Sequence, residues 1–274
     1  MKNLVIYNNE ICLIAGSGEI VFEAAVSLNA QKKLKNIILL NANKKLSKHF
    51  KNIITEFNIR ELSNIIKFIN INQINKVLII GYVHIPQIKE IKLSLKDKIL
   101  FSKNIFLKNI SDQSIILKNF LNNKDIQLLS PKNILKDNLV TKNDLFIFKE
   151  HKSLVKEIIN NKKYISQYFN NSISQSLIMN GNEILAVEDV FGTDHMINRL
   201  KSIYKRYKNL IFFKSKKRNQ IDEIDFPVVG LNTLKLLKKY EYKIICLFHK
   251  QVLINNKVEF LKYLKNYSIS LLVL

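Results

Sequence analysis

The chain has 274 residues and is 47% apolar, enough to bury one large core or two smaller ones. No apolar run is long enough to predict a transmembrane helix, and the first residues lack the pattern of a signal peptide. The net charge of +22 makes nucleic acid a candidate partner, but lysine supplies nearly all of it and arginine occurs at four positions. Because nucleic-acid surfaces depend on arginine for bidentate contacts, we expect no nucleic-acid partner and attribute the lysine to the codon bias of an AT-rich genome.

Two cysteines, Cys12 and Cys246, both lie in apolar runs that are typical of strands. This position predicts buried free thiols rather than a disulfide, and with it a cytoplasmic location. A lysine-coated surface is also attracted to an anionic membrane face, so peripheral contact with the inner membrane is compatible with the charge.

The first half of the chain alternates apolar runs with amphipathic ones. Strands are predicted at 11–15, 36–40 and 76–80, and helices at 19–28 and 59–69. This alternation predicts a Rossmann-like parallel sheet with helices packed on it, and such sheets bind ligands beyond the carboxyl ends of their strands. The glycine-bearing loops at 16–18 and 81–86 are expected at that edge.

The second half begins after a polar stretch at 131–138, which is the expected domain junction. A long helix is predicted over 145–168, followed by a hairpin with strands at 176–179 and 182–187 around Asn180-Gly181. The remaining predictions are helices at 194–207, 233–240 and 258–264, and strands at 210–214, 244–248 and 269–274. We therefore predict an α/β protein with two domains, 1–133 and 134–274, the second a mixed α/β catalytic domain, and a cleft between them.

The turn Gly16-Ser17-Gly18 follows a strand and precedes a helix. Exposed amides and the positive end of a helix dipole favour phosphate at such a place, although a plain tight turn is an equal alternative. The third glycine of a dinucleotide fingerprint is missing, which argues against a nicotinamide cofactor. His84 follows Gly81 in the next loop and could act as an acid or base, but no partner for it is visible in the sequence.

Two acidic segments are the other candidates. Glu188 and Asp189 end a strand just before Thr193 and Asp194, which begin a helix, and together they could hold a metal ion or bind phosphate. Helix capping is the alternative for Thr193 and Asp194. The second segment contains Asp225, which follows several cations and precedes Phe226-Pro227, residues expected to anchor and restrain the backbone; a solvated loop is the alternative for its neighbours.

Four motifs in this order resemble the LpxI-type UDP-2,3-diacylglucosamine pyrophosphatases. They are Leu13-Ile14-Ala15-Gly16-Ser17-Gly18, Gly81-Tyr82-Val83-His84-Ile85-Pro86, Ala186-Val187-Glu188 with Gly192-Thr193-Asp194, and Asp225-Phe226-Pro227-Val228-Val229-Gly230. The similarity extends over nearly the whole chain. The family's paired Gly-Asp-Asp in the N-terminal half is represented here by Ser111-Asp112-Gln113.

The resemblance implies a cytoplasmic hydrolase of lipid A biosynthesis that uses Mg²⁺ or another divalent ion. Its substrate would be the UDP-linked diacylated glucosamine, cleaved to UMP and the lipid monosaccharide 1-phosphate. Asp225 matches the aspartate most tied to catalysis and metal binding, and Glu188 is the second expected metal ligand. The expected substrate-binding residues are Gly16, Ser17, Gly18, Gly81, Gly192, Thr193, Asp194, Lys214 and Gln220.

Two other function classes stay open from the sequence. One is a catalytically degenerate relative that binds a nucleotide or a lipid-sugar without turnover, and the other, less favoured, is a basic nucleic-acid-binding protein. Strong salt dependence of binding would distinguish the nucleic-acid binder. The sequence also leaves a homodimer open.

Overall fold

A computed structural model describes residues 10–82, 110–172, 174–200 and 206–274, and for 110–113 it describes the backbone alone. The chain divides into two compact units. Unit 1 contains the chain up to Leu135 together with the short segment 221–225, and unit 2 contains 136–220 and 226–274. The chain therefore leaves unit 2 for five residues and then returns to it.

The described part of unit 1 contains five strands in one sheet, together with five helices. The strands are β1 (Ile11–Ala15), β2 (Leu34–Leu39), β3 (Ile54–Glu56), β4 (Lys76–Ile80) and β5 (Gln127–Leu129). Numbered within the described residues, the helices are α1 (Ile20–Ala30), α2 (Lys44–His49), α3 (Leu62–Ile71), α4 (Ile110–Asn122) and α5 (Pro131–Ile134), with a 3-10 turn at Lys51–Ile53.

All pairings in this sheet are parallel, in the order β3-β2-β1-β4-β5. The central strand β1 is buried along its whole length, as expected for a strand covered on both faces. One face of the sheet packs against the apolar sides of α3 and α4, including Ile65, Ile69, Ile116 and Phe120. Strands β2 and β3 are added on one side of β1, and β4 and β5 are added on the other. The carboxyl ends of β1 and β4 therefore form the topological switch point of the sheet.

Where the structure describes it, unit 2 contains seven strands in two sheets. They are β6 (Ser176–Asn180), β7 (Glu183–Val187), β8 (Leu210–Lys214), β9 (Val228–Val229), β10 (Ile244–Leu247), β11 (Leu253–Ile254) and β12 (Ser270–Val273). The helices are α6 (Lys152–Asn160), α7 (Lys162–Asn171), α8 (Thr193–Arg199), α9 (Leu231–Lys239) and α10 (Lys257–Asn266), with 3-10 turns at Lys136–Asn138, Lys142–Asp144 and Lys149–His151.

The larger sheet of unit 2 is mixed, in the order β12-β10-β8-β6-β7. Strands β12, β10 and β8 are parallel, whereas β6 runs antiparallel to both β8 and β7. Strands β9 and β11 form a separate parallel pair. The α/β class is thus confirmed, with a parallel sheet in unit 1 and a mixed sheet in unit 2.

The predicted hairpin is confirmed, but its turn lies one residue later than expected. Asn180 pairs with Glu183, so Gly181 and Asn182 form the loop, and of these Gly181 has a positive φ of 56°. Glycine reaches that conformation without the steric cost that a Cβ would bring, which explains why it stands first in the turn.

The prediction of one long helix over 145–168 is wrong for residues 145–151 and for the continuity of the helix at Asn161. Phe146 instead forms a bridge with Leu271, and the helical residues are divided between α6 and α7 at Asn161. The helix predicted over 194–207 is described as far as Arg199, and residues 201–205 lie outside the described residues.

Both cysteines are buried and free, as predicted. Burial raises the pKa of the Cys12 thiol to about 12 and that of Cys246 well above its ordinary value, so both are unreactive thiols at neutral pH. Among the described residues, no helix is both long and apolar enough to cross a membrane.

Candidate active site

The polar edge of the mixed sheet in unit 2 brings four side chains together. Strand β6 runs antiparallel to its two neighbours, so its first residue lies beside their last residues. Ser176 is paired with Lys214 at the end of β8, and its carbonyl accepts a hydrogen bond of 3.0 Å from the amide of Glu188, just after β7. Thr193, the first residue of α8, completes the group, which we call the Lys214 cluster (Ser176, Glu188, Thr193 and Lys214).

The ammonium of Lys214 is the centre of this cluster. Its Nζ donates to Ser176 Oγ and to Thr193 Oγ1, both at 2.9 Å, and lies 3.7 Å from Glu188 Oε2. Thr193 Oγ1 in turn donates to Glu188 Oε1 at 2.7 Å. The side chain of Lys214 is 3% exposed, so its charge is held in a place of low dielectric, where it interacts more strongly than in water.

Glu188 is the counter-ion of this lysine. Burial by itself would raise the pKa of the Glu188 carboxyl, but the ammonium of Lys214 and the neighbouring hydroxyls hold it below its ordinary value. A carboxylate with a lowered pKa is a weak base. Glu188 is therefore suited to fixing Lys214 and Thr193 in place rather than to removing a proton.

The expected metal role of Glu188 stays a prediction, and the donor set around it argues for another task. A divalent ion at this carboxylate would stand close to the ammonium of Lys214, and two cations repel each other in a buried place. Nor do the described residues contain any group of three or more His, Cys, Asp or Glu side chains that could hold a metal ion.

Asp194 is held by a contact with another helix instead of capping its own. The N-cap of α8 is Gly192, with φ of 88°, and no side chain caps the helix there. The Asp194 carboxylate accepts a hydrogen bond of 2.6 Å from Thr233 Oγ1 on α9. The capping alternative for Thr193 and Asp194 is thus replaced by two tertiary contacts, one within the Lys214 cluster and one with α9.

Gln220 closes its own loop. Its Oε1 accepts a hydrogen bond of 2.9 Å from the amide of Lys217, which makes the side chain part of the backbone turn 217–220. A substrate-binding role for this residue stays a prediction.

Asp225 belongs to the five-residue segment that is part of unit 1. Its amide donates to the carbonyl of Ile221 at 3.0 Å, and its side chain is half-buried. Two neighbours fix the segment by ion pairs, Asp222 with Lys132 and Glu223 with Lys118. Phe226, which follows Asp225, is buried as the sequence predicted.

The two glycine-bearing loops of unit 1 meet at the carboxyl edge of its sheet, as predicted. Ser17 and Tyr82 exchange two backbone hydrogen bonds of 2.8 Å, and Ser17 Oγ also donates to the Tyr82 carbonyl. Gly81 has φ of 92°, and a Cβ there would lie 2.7 Å from the Ser17 carbonyl oxygen, so this approach requires glycine. His84 lies outside the described residues, as do the side chains of 111–113.

Two backbone amides of the expected phosphate-binding turn are already hydrogen-bonded within the protein. The amide of Gly16 donates to the Ile80 carbonyl at 2.9 Å, and that of Ser17 donates to Tyr82. Of the three amides in the turn, that of Gly18 stays available for an anion, and its φ of 112° and open surroundings leave room for a ligand.

Sequence reasoning missed Ser176 and Thr233. Ser176 is polar and fully buried at the head of an apolar strand, and the predicted hairpin could have suggested that it lies near Glu188. Its pairing with Lys214 depends on the order of strands in the sheet, which the local sequence does not reveal.

Comparison with protein families gives two matches that follow one another along the chain. Residues 10–138 match the LpxI N-terminal domain, and residues 144–272 match the LpxI C-terminal domain. No individually curated protein matches the chain. The Lys214 cluster lies entirely in the second matched stretch, and the glycine turn after β1 lies in the first.

Proposed function

The chain belongs to the LpxI family, and on this premise we propose that it is a hydrolase of lipid A biosynthesis that cleaves UDP-2,3-diacylglucosamine. The products are UMP and 2,3-diacylglucosamine 1-phosphate. The observation that carries the proposal is the buried ammonium of Lys214, fixed by two hydroxyls and a carboxylate at a sheet edge. We also expect a cytoplasmic protein; peripheral contact with the inner membrane and a homodimer stay predictions.

Lys214 is suited to the charge of a pyrophosphate. An ammonium has three N–H donors, and among the described residues two of them are used, on Ser176 and Thr193. The distance of 3.7 Å to Glu188 is too long for a hydrogen bond, so one donor can turn to a phosphate oxygen. A fixed donor of this kind stabilises the charge that develops on the oxygens as the phosphoanhydride bond breaks.

Asp225 is the proposed catalytic carboxylate. Its ion-paired neighbours Asp222 and Glu223 hold the segment, and the buried Phe226 fixes its far end. A half-buried carboxylate on a backbone held in this way can orient the water that attacks the pyrophosphate.

We propose Mg²⁺ as the cofactor, with Asp225 as the protein ligand that fits it better than Glu188. Mg²⁺ is usually held by one or two carboxylates together with substrate phosphates, so a single carboxylate fits this mode of binding. When bound, the ion supplies positive charge to the phosphate oxygens. Glu188 orients Lys214 and Thr193 instead.

The test is UMP release from UDP-2,3-diacylglucosamine by the purified protein, with Mg²⁺ and with EDTA. We expect release with Mg²⁺ and its loss with EDTA, and Asp225→Ala should reduce turnover by at least about a hundredfold. Asp137→Ala is the matched control, because it removes an exposed carboxylate that lies outside the segment 221–225, and it should keep most of the activity.

The alternatives give different results. UMP or lipid that binds without any release of product under all metals tried would favour a degenerate binding protein. Tight, strongly salt-dependent binding of DNA or RNA would favour the basic nucleic-acid binder. Wild-type turnover in Asp225→Ala would show that the family role does not transfer to this residue.

A further inference from the structure

A cavity of about 520 Å³ lies at the carboxyl edge of the parallel sheet in unit 1. Its lining comes from the last residues of two neighbouring strands and the loops that follow them, residues 39–42 at the end of β2 and 56–61 at the end of β3. Its volume is in the range of pockets that take small organic ligands. The edge on which it lies is the one where open α/β sheets bind their ligands.

The cavity borders the glycine turn after β1. Ala15, the last residue of β1, is paired with Leu39, the last residue of β2. The amide of the next lining residue, Leu40, donates to the Ala15 carbonyl at 3.0 Å. Gly16 is the next residue after Ala15. A ligand in the cavity therefore lies one strand away from the turn where the sequence favours a phosphate.

The lining is half apolar and half polar. Five of the ten lining residues are apolar, among them Leu39, Phe57 and Ile59, while Asn41 and Asn58 carry amides and three others are charged. Phe57 is fixed from behind by Phe68, at a ring-centroid distance of 5.5 Å. An acyl chain would require apolar walls throughout, whereas a flat heterocycle with a polar edge and a sugar with hydroxyls suits this mixture.

Asn58 is partly preorganised for such a ligand. Its Oδ1 accepts a hydrogen bond of 2.9 Å from the Arg60 amide, which fixes the carboxamide plane in the loop. Its Nδ2 keeps two donors that can meet carbonyl oxygens of a ring. Asn41, in the facing loop, offers both a donor and an acceptor, the pair that an imide edge such as that of uracil requires.

We infer that this cavity binds the nucleoside part of the substrate, with the base against Phe57 and Ile59 and its polar edge on Asn41 and Asn58. The inference rests on the proposed function for the identity of the base. It assigns the cavity in unit 1 to recognition of the nucleoside.

Titration calorimetry with UMP tests the inference on the full chain. We expect Asn41→Ala and Asn58→Ala each to raise the Kd for UMP by at least about tenfold, which is the effect of losing one well-placed hydrogen bond. Asn123→Ala is the matched control, because Asn123 is exposed in unit 1 and precedes β5, at the opposite edge of the sheet. The Kd of this variant for UMP should stay within about twofold of the wild-type value.

Several results would overturn it. One is an unchanged Kd in both variants, and another is an effect confined to Asn58→Ala, because that side chain also holds the loop. A third is the absence of UMP binding by a wild-type protein that hydrolyses UDP-2,3-diacylglucosamine. If instead UMP binds through Asn41 and Asn58 but no hydrolysis occurs, the nucleoside site stands and the proposed hydrolase function falls.

Discussion

The sheet edge of unit 1 and the sheet edge of unit 2 offer an anionic ligand different kinds of groups. In unit 1 the groups are the backbone amide of Gly18 and exposed side chains around a cavity. In unit 2 they are a buried ammonium and the two hydroxyls to which it donates, fixed by the carboxylate of Glu188. The edge of unit 1 thus provides an open cavity, whereas the edge of unit 2 provides a positive charge held in a fixed geometry.

This difference has consequences for mutation. Exposed side chains around the cavity contribute little to folding, so their replacement should change binding with small effects on stability. A buried ion pair behaves in the opposite way, because removing one partner leaves the other charge uncompensated. Substitutions at the Lys214 cluster should therefore change stability and turnover together, and the two effects need to be separated.

Lys214→Met should give the largest effect. It keeps the length of the side chain but removes the ammonium, so we expect turnover to fall by about a hundredfold or more, as for loss of one fixed donor. It also leaves the Glu188 carboxylate buried without its cation, which should lower the free energy of unfolding by about 3 kcal/mol. Product release and denaturant unfolding measure the two effects.

Lys214→Met with Glu188→Gln separates stability from turnover. Removing both charges should return much of the lost stability, while turnover stays low because the ammonium is still missing. Lys208→Met is the matched control, since Lys208 is exposed just before the same strand. A double variant that recovers turnover along with stability would show that Lys214 is structural and that the two edges do not differ as described.

Glu188→Gln alone should give an intermediate effect that depends on pH. The pKa of Glu188 is lowered on folding, so its charged form contributes stability above its ordinary value of 4.5, and this contribution is lost as the pH falls through the lower folded value. The variant lacks it at every pH. We expect it to be less stable than wild type by about 2 kcal/mol near neutral pH, with a gap that narrows below pH 4.5. A gap independent of pH would exclude the ion pair as its cause.

The sequence predicts most of the fold of both units, because their strands are short apolar runs and their helices are amphipathic. Strands β1, β4 and β8 have the predicted limits. The short strands β3, β5, β9 and β11 were not predicted, since two or three residues carry no periodicity of their own. The predicted long helix failed because Phe146 packs beside β12, a tertiary contact that outweighs local helical spacing.

The candidate site was predictable in its residues and much less in its contacts. Motif order identified Glu188, Thr193 and Lys214, but their mutual distances depend on the antiparallel insertion of β6 between β7 and β8. Ser176 enters the site through that same register, so the hairpin places it near Glu188 but no local signal reveals its pairing with Lys214. The cavity in unit 1 was missed for a related reason, since the two loops that form it are separated along the chain by α2.

Asp194→Ala should give the smallest effect and distinguishes a helix cap from a contact between helices. The Asp194 carboxylate accepts a hydrogen bond from Thr233 Oγ1 on α9, so its loss should lower the free energy of unfolding by about 1.5 kcal/mol and turnover to a level between wild type and Asp225→Ala. Thr233→Val removes the same bond from the other side. A double-mutant cycle on the two should therefore show coupling, because the second substitution has little left to remove. If Asp194 were a helix cap, Asp194→Ala would still be destabilising but Thr233→Val would have an independent effect, and α9 would have no part in holding Asp194.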